Sequence, residues 1–251
     1  MTKNCEAKSR DANPNGEPNS SNAPMNESRR GFLQTAVGGT VTGLLAASGL
    51  NLGMPGPAMA QGNLSPDAAL QRLVEGNKRF ISGNMTAHEH DVAILKANNA
   101  EGQEPFAALL SCADSRVPVE LLFDESIGHI FVTRIAGNIV TPEIIASLEF
   151  GAGVLGTKVI VVMGHSGCGA VKASIQGSEV PGQISALYPH IRPAVDQAGP
   201  DLEATTKANA KIQAGLLRQA STVISGLVKE KKLKVVASYY DIATGRVTFL
   251  E

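Results

Sequence analysis

The sequence predicts an α/β fold with a mainly parallel central sheet flanked by helices. Three short apolar runs, at residues 106–111, 129–134 and 158–164, have the length and composition of buried strands. Between the last two runs, apolar residues recur at helical spacing, so the order there is strand, helix, strand. This order indicates that the two strands form a parallel pair with a right-handed crossover. We expect one α/β domain without internal repeats.

Local signals predict where the flanking helices begin and end. Ser65-Pro66-Asp67 supplies an N-cap, a proline at the first helical position and an acid in the first turn, so a helix is predicted from there to Gly83. Thr141-Pro142-Glu143 begins the crossover helix, over residues 141–155, in the same way. The other predictions are helices over 91–98, 170–175 and 202–228, the last broken near Gly215, and a hairpin-like end formed by 234–240 and 247–250.

The first sixty residues are predicted to form a leader rather than part of the fold. Residues 1–28 are polar and lack apolar periodicity, so we expect them to be disordered. Arg29-Arg30 then precede an uncharged, mildly apolar stretch that ends in the small-x-small signal Ala58-Met59-Ala60. This arrangement resembles a twin-arginine export leader, which implies cleavage after Ala60 and a periplasmic or otherwise exported product. An uncleaved membrane tether is the alternative, although a tether needs about 20 strongly apolar residues.

Charge and composition argue against two classes of partner. The formal net charge is -1, so no excess of positive charge favours nucleic acid or an anionic membrane. Aromatic residues make up only 4% of the chain and Trp is absent, which argues against a base-stacking surface. We therefore expect no nucleic-acid partner, and contact with a membrane only during export.

Two thiols and one imidazole lie at the carboxyl ends of two predicted strands. Cys112 follows the first strand, and His165 and Cys168 follow the third. Open α/β sheets place their ligand sites at this edge, so the three side chains could meet at one point. Thiolates with imidazole suit Zn²⁺, and three protein ligands leave a fourth position open, as in catalytic zinc sites. The sequence therefore predicts a zinc site made by Cys112, His165 and Cys168.

A carboxylate and a guanidinium follow the first of these cysteines. Asp114 and Arg116 lie two residues apart on the same loop. A guanidinium keeps a neighbouring carboxylate ionised and can bind both of its oxygens. Asp114 either takes the fourth position on the zinc, or is held off the zinc by Arg116 and accepts a hydrogen bond from zinc-bound hydroxide. The first arrangement closes the site and the second leaves it open, and the sequence allows both.

These segments resemble the motifs of the β-class carbonic anhydrases. The family's signature pair is matched by Cys112-Ala113-Asp114-Ser115-Arg116 and His165-Ser166-Gly167-Cys168-Gly169. The resemblance covers about residues 65–251, since residues 76–80, 134–138 and 240–245 look like the family's amino-terminal helix, central segment and final turn. It implies a β-carbonic anhydrase domain over residues 61–251, after the leader of residues 1–60.

The resemblance also implies an activity and further site residues. The family catalyses the reversible hydration of CO₂ to bicarbonate and a proton, with one Zn²⁺ per subunit. Asp114 and Arg116 match its catalytic dyad by position. The family associates through its sheet edge and amino-terminal helix and lines each pocket from two subunits, so we expect at least a homodimer. The positions that match its substrate pocket are Gln103 and the backbone of Gly169 as hydrogen-bond donors, and Phe131 and Phe150 as the apolar wall.

Two positions depart from the family pattern, and two other functions stay open. Leu109 stands where some members carry a Trp of an inhibitory bicarbonate site, so we expect that site to be absent or weakened, although Arg134 and Tyr240 match its other members. Ile135 stands where many members have Asn. The same zinc site could instead hydrolyse carbonyl sulfide or carbon disulfide. A permanently closed site would leave a non-catalytic binding protein in which zinc only staples the fold.

Overall fold

The computed structural model describes residues 64–88 and 103–251. The predicted leader and the predicted helix over 91–98 lie outside these residues. Helix α1 spans Pro66–Ser82, and the hydroxyl of Ser65 caps it by accepting a hydrogen bond from the Ala68 N–H (3.1 Å). It ends at Gly83, whose left-handed φ of 73° is the usual way for a glycine to terminate a helix. The predicted first helix is confirmed at both ends.

Within the described residues, five strands form one sheet in the order β2-β1-β3-β4-β5. The first four strands run parallel and β5 pairs antiparallel with β4, so the hairpin-like end and the mainly parallel sheet are confirmed. The strands are β1 (Ala107–Ser111), β2 (Ile130–Arg134), β3 (Val159–His165), β4 (Lys234–Tyr240) and β5 (Val247–Leu250).

One prediction about this sheet is wrong. β2 and β3 are parallel, but they do not pair with each other, because β1 lies between them. β1 is buried at all five of its positions, whereas β2 is partly exposed. A fully apolar strand gains most from neighbours on both sides, and a half-buried strand suits an edge. The choice is made by burial across the whole sheet, which the order of segments along the chain does not reveal.

Different helices cover the two faces of the sheet, as an α/β fold requires. Neighbouring β1 side chains, Leu109 and Leu110, point to opposite faces. Helices α1 and α2 pack on the Leu109 face, and α3, α6 and α7 pack on the Leu110 face. No helix among the described residues combines the length and apolarity needed to span a membrane. The helices after α1 are α2 (Val119–Leu122), α3 (Pro142–Glu149), α4 (Gly169–Gln176), α5 (Tyr188–Ala198), α6 (Leu202–Ala220) and α7 (Thr222–Lys229).

Two predicted helices have different ends from those expected. The crossover helix stops at Glu149 and continues as one wider turn, in which the Leu155 N–H donates to the carbonyl of Phe150, five residues back. The long helix over 202–228 breaks at Ser221 and not near Gly215. The Ser221 backbone is extended, and its hydroxyl accepts from the Ile224 N–H (3.0 Å) to begin α7. A serine that can cap a new helix is a better breaking point than a glycine, which a helix tolerates at a cost of about 1 kcal/mol.

The strand order opens a crevice at one edge of the sheet. The chain leaves β1 towards β2 on one side, and it leaves β3 towards β4 on the other side. The two loops therefore diverge at the carboxyl ends of β1 and β3, which is where open α/β sheets bind ligands. A small buried cluster fills this edge and includes Cys112, Cys168 and Ile191.

Candidate metal centre

The three predicted ligands meet in this crevice. Cys112 directly follows β1, His165 is the last residue of β3, and Cys168 immediately precedes α4. Their ligand atoms all lie within 4.8 Å of one another, and all three side chains are buried. Because the residues are anchored at the ends of adjacent, hydrogen-bonded strands, the fold brings the two sulfurs and the imidazole together.

The imidazole presents one nitrogen to the two sulfurs. His165 Nδ1 lies 3.0 Å from the carbonyl oxygen of Ser166, so Nδ1 carries the proton and donates it there. Nε2 is then the atom with the free lone pair, and it is buried without a hydrogen-bond partner in the described part of the chain. A buried, unpaired acceptor is costly unless it binds something, and a Cys₂His set suits zinc. The residues present fit a zinc ion.

A hydrogen bond between the two thiols shifts their pKa values in opposite directions. The pKa of the Cys112 thiol is lowered, chiefly because Cys168 donates a hydrogen bond to it, and the Gly137 N–H (3.4 Å from Sγ) lowers it further. The pKa of Cys168 is raised by the same hydrogen bond and by burial. Zinc binds deprotonated sulfurs, so the thiol protons must leave when the metal binds and zinc affinity should fall in acid.

Asp114 lies beside the ligands but is held by Arg116. Its Oδ1 accepts from the Arg116 backbone N–H (2.9 Å) and Nε (3.0 Å), and its Oδ2 accepts from Nη2 (2.8 Å). The hydrogen bonds from Arg116 hold the pKa of the Asp114 carboxyl well below its ordinary value. Oδ2 lies 3.9 Å from His165 Nε2, beyond hydrogen-bond distance. Of the two arrangements that the sequence allows, this structure has the carboxylate on the arginine.

The backbone of the same loop is fixed by an arginine from β2. Arg134 donates from Nε to the carbonyl of Cys112 (2.9 Å) and from Nη2 to the carbonyl of Asp114 (2.5 Å). The guanidinium thus holds the carbonyls on both sides of Ala113. Leu109, which lies at the position of the predicted departure from the family pattern, is fully buried in the core.

Comparison with known proteins identifies the family. A family model described as carbonic anhydrase matches residues 107–247. Carbonic anhydrase 2 of Mycobacterium tuberculosis is 32% identical over 192 residues, which cover 73% of this chain and 92% of that protein. The chain belongs to the β-carbonic anhydrase family. The β class agrees with the solved structure of the β-carbonic anhydrase CcaA, which is 26% identical, has a TM-score of 0.57 and aligns over 72% of this chain and 91% of its own.

A second solved structure supports the same assignment. The Coccomyxa β-carbonic anhydrase, solved in complex with acetazolamide, is 26% identical with a TM-score of 0.55, and the alignment covers 72% of this chain and 86% of that one. The family and fold class expected from the sequence motifs are therefore confirmed, and the chain is assigned to the carbonic anhydrase class of enzymes.

The glycines around Cys168 shape the edge of the metal centre. Gly167 has a left-handed φ of 68°, which turns the chain between the two ligands His165 and Cys168. Gly169 begins α4, and beyond its chain neighbours and the adjacent backbone of its own helix no described atom lies within 4 Å of the position that a Cβ would occupy there. Open space beside the backbone of Gly169 is compatible with its predicted role as a donor to substrate.

The predicted apolar wall lies away from the ligands in a single chain of this β-carbonic anhydrase. Phe131 pairs with Ala108, four residues before Cys112, or about 13 Å along the strand. Phe150 packs against Phe131, with ring centroids 6.3 Å apart, and its side chain is 47% exposed. Gln103 lies in an exposed segment before β1. The structure does not bring these three residues to the metal centre of their own chain, so their role in a pocket shared between subunits stays a prediction.

Two buried amides near the centre were not found from the sequence. Asn209 and Gln213 lie on α6 and are fully buried, although both are polar. A signal was present, because they are four residues apart and Gln213 directly precedes the apolar Ala214 in a helix that packs on the sheet. Polar residues on a buried helix stripe usually hold a backbone segment that lacks regular hydrogen bonds.

Proposed function

We propose that the chain catalyses the zinc-dependent, reversible hydration of CO₂ to bicarbonate and a proton. The observation that carries this proposal is the convergence of Cys112, His165 and Cys168 in a member of the β-carbonic anhydrase family. Soft sulfur and imidazole ligands select zinc over magnesium or calcium. When bound, zinc supplies a Lewis acid that makes a hydroxide nucleophile available near neutral pH.

Asp114 and Arg116 form the catalytic dyad in this proposal. Arg116 keeps Asp114 ionised, so its carboxylate is a hydrogen-bond acceptor at neutral pH. Oδ2 lies 3.9 Å from His165 Nε2, close enough to accept a hydrogen bond from a group positioned among the three predicted ligands. A hydrogen-bond acceptor at this place orients the nucleophile, because only a nucleophile whose proton points at Oδ2 can form the hydrogen bond. In this proposal the Gly169 N–H binds substrate oxygen, and a second subunit supplies Gln103 as a further donor and Phe131 and Phe150 as the apolar wall around CO₂.

Direct measurement of CO₂ hydration tests the proposal. The full chain is loaded with zinc, and hydration is followed by stopped-flow with a pH indicator, alongside protein stripped by a chelator. We expect one zinc per subunit and turnover that disappears with the metal and returns when zinc is restored. Zinc-replete protein without turnover would favour a zinc-stapled binding protein. Hydrolysis of carbonyl sulfide or carbon disulfide in place of CO₂ hydration would change the substrate and keep the site.

We propose that the enzyme is exported through a twin-arginine route and cleaved after Ala60. The support is the order of Arg29-Arg30, an uncharged stretch and the small-x-small signal. Replacing both arginines by lysine should leave the protein in the cytoplasm, whereas the matched change Arg10→Lys should not. Mass spectrometry of the exported protein should find Gln61 at its amino terminus, and an intact amino terminus would contradict cleavage.

We also propose that the enzyme is at least a homodimer. Phe150, which packs against Phe131 of the edge strand β2, is an exposed apolar residue, and so is Val154 four residues later, which is 69% exposed. Light scattering of the full chain should give a mass of two subunits or more. Val154→Glu should weaken association, while Leu121→Glu, at an exposed apolar residue on α2, should not. A monomeric wild-type protein would refute this proposal.

A further inference from the structure

Two buried amides on α6 bond to each other and to the loop after β2, residues 135–140, which contacts Cys112. Gln213 Nε2 donates to Asn209 Oδ1 (3.2 Å), one helical turn away. Asn209 Nδ2 donates to the carbonyl of Gly137 (2.9 Å), and Gln213 Oε1 accepts from the Val140 N–H (2.8 Å). Gln213 also donates to the carbonyl of His190 (2.9 Å). All polar side-chain atoms of Asn209 and Gln213 therefore take part in hydrogen bonds.

The loop that they hold has an unusual backbone. Gly137 (φ 75°) and Asn138 (φ 44°) are consecutive residues in the left-handed region, and Asn138 is not a glycine. Asn adopts this conformation more readily than most residues with a side chain, but two left-handed residues in succession still make the loop irregular. A Cβ on Gly137 would lie 2.8 Å from Ile191 Cδ1, so the loop is also confined by packing.

The same glycine touches a predicted zinc ligand. The Gly137 N–H donates to Cys112 Sγ over 3.4 Å in a buried environment. Asn209 holds the carbonyl of Gly137 and Cys112 accepts from its N–H, so the two bonds lie on either side of one Cα atom. Rotation of Gly137 would break both. Outer partners of this kind orient metal ligands and tune their donor strength.

We propose that Asn209 is a positioning residue for the metal centre, which it serves by fixing Gly137 so that its N–H points at the Cys112 sulfur. The N–H···S bond withdraws electron density from the thiolate and fixes the direction of its lone pair. Asn209 thereby sets how tightly the centre holds its ion. This inference rests on the zinc site of the proposed function, and it adds a residue from a helix that contributes no ligand.

The test compares the same replacement at two positions on one helix. Asn209→Leu removes the donor to Gly137. Gln213→Leu removes an equally buried amide and its bonds to Asn209, Val140 and His190, but leaves the bond from Asn209 to Gly137. Both variants should lose stability. Only Asn209→Leu should weaken zinc binding, by about 10–100-fold in competition with a chromophoric chelator, as expected for loss of an outer-shell partner.

A second readout reports on the sulfur itself. In the cobalt-substituted full chain, the thiolate-to-cobalt charge-transfer band should move to lower energy in Asn209→Leu, because the sulfur loses a hydrogen bond and its electrons are less tightly held. In Gln213→Leu the band should stay at its wild-type position. If Asn209→Leu does not fold, Asn209→Ser, which is smaller and too short to reach Gly137, takes its place with the same expectations.

The outcomes separate this inference from the proposed function. If Asn209 variants hold zinc as tightly as wild type, or change no more than Gln213→Leu, the positioning role is refuted and the zinc site stands. If the wild-type chain binds neither zinc nor cobalt, the proposed function fails first.

Discussion

Two carboxylate–guanidinium pairs in this molecule use the same chemistry in opposite ways. Asp114 and Arg116 are two residues apart, Arg116 is 56% exposed, and the carboxylate accepts hydrogen bonds only from Arg116 among the described residues. Asp124 and Arg79 are 45 residues apart, and Asp124 is completely buried. Asp124 accepts from Arg79 and also from the backbone N–H groups of Thr86 and Ala87 and the Thr86 hydroxyl.

The difference separates the pair that acts in the proposed reaction from a pair that holds the fold. Asp124 joins α1 to the segment after it and to the end of α2, and its many donors compensate for burying its charge. Asp114 bonds to one flexible partner, so its carboxylate can be released or redirected without breaking the fold. Exposed pairs of this kind contribute little stability, about 0–1 kcal/mol. We therefore expect stability to depend on the Asp124–Arg79 pair and turnover on the Asp114–Arg116 pair.

The largest effect should come from removing a metal ligand. Cys168→Ser replaces a soft sulfur with a hard oxygen at a fully buried ligand position. Zinc content should drop to near zero, and turnover should fall by more than the about 10–100-fold that follows loss of an outer partner. Metal analysis and stopped-flow CO₂ hydration measure both. The Asp124 pair should be unaffected, and a variant that keeps zinc and turnover would contradict the ligand assignment.

Breaking the buried pair should cost stability and spare turnover. Asp124→Asn removes the charge that Arg79 requires, while Asn tolerates the left-handed φ of 45° at this position. The free energy of unfolding in urea should fall by about 3 kcal/mol, the lower end for a buried pair, because Arg79 is partly exposed. Turnover of the folded, zinc-loaded variant should stay within about twofold of wild type, which corresponds to a change of under about 1 kcal/mol in the activation free energy.

Breaking the exposed pair should give the reverse result. Asp114→Asn removes the anionic acceptor beside the ligands. Turnover should fall about 100-fold, which is the lower end of the range for a group that takes part in proton transfer. The free energy of unfolding should change by less than about 0.5 kcal/mol, as at most surface positions. Equal losses of stability in Asp114→Asn and Asp124→Asn would remove the distinction between the two pairs.

The smallest effect concerns acid stability. Burial alone would raise the pKa of Asp124, but hydrogen bonds from Arg79, Ala87 and Thr86 outweigh it and the pKa is lowered. A lowered pKa gives stability that is complete above the unfolded value of about 3.9 and is lost as pH falls towards the folded value. Urea midpoints between pH 5 and about 3 should therefore fall more steeply in wild type than in Asp124→Asn. Parallel curves would show that Asp124 does not contribute.

Local signals in the sequence predicted the candidate ligands of the metal centre better than the residues that hold those ligands in place. Cys112, His165 and Cys168 follow apolar strand-like runs, and a strand's carboxyl end needs no knowledge of the rest of the fold. The insertion of β1 between β2 and β3 could not be read locally, because it depends on which strand is buried on both sides. Helix α5 was missed because Pro193 lies inside it, and an internal proline normally counts against a helix.

The support around Cys112 depends on contacts between distant segments. Asn209 lies 72 residues from Gly137, and nothing near either residue indicates the other. The left-handed backbone at Gly137 and Asn138 is likewise not readable locally, because glycine and asparagine tolerate this conformation without requiring it. Sequence patterns predict which residues carry chemistry, whereas the residues that orient them become visible only in three dimensions.

Asn77 connects the beginning and the end of the described domain. Its side-chain amide donates to the carbonyls of Leu122 and Gly245 (3.0 Å each), and its oxygen accepts from the Val247 N–H (2.9 Å). Helix α1 and strand β5 are thus coupled through one buried side chain, although they are about 170 residues apart. Amide hydrogens in these two elements should exchange with solvent as a single cooperative unit, and neither element should open alone.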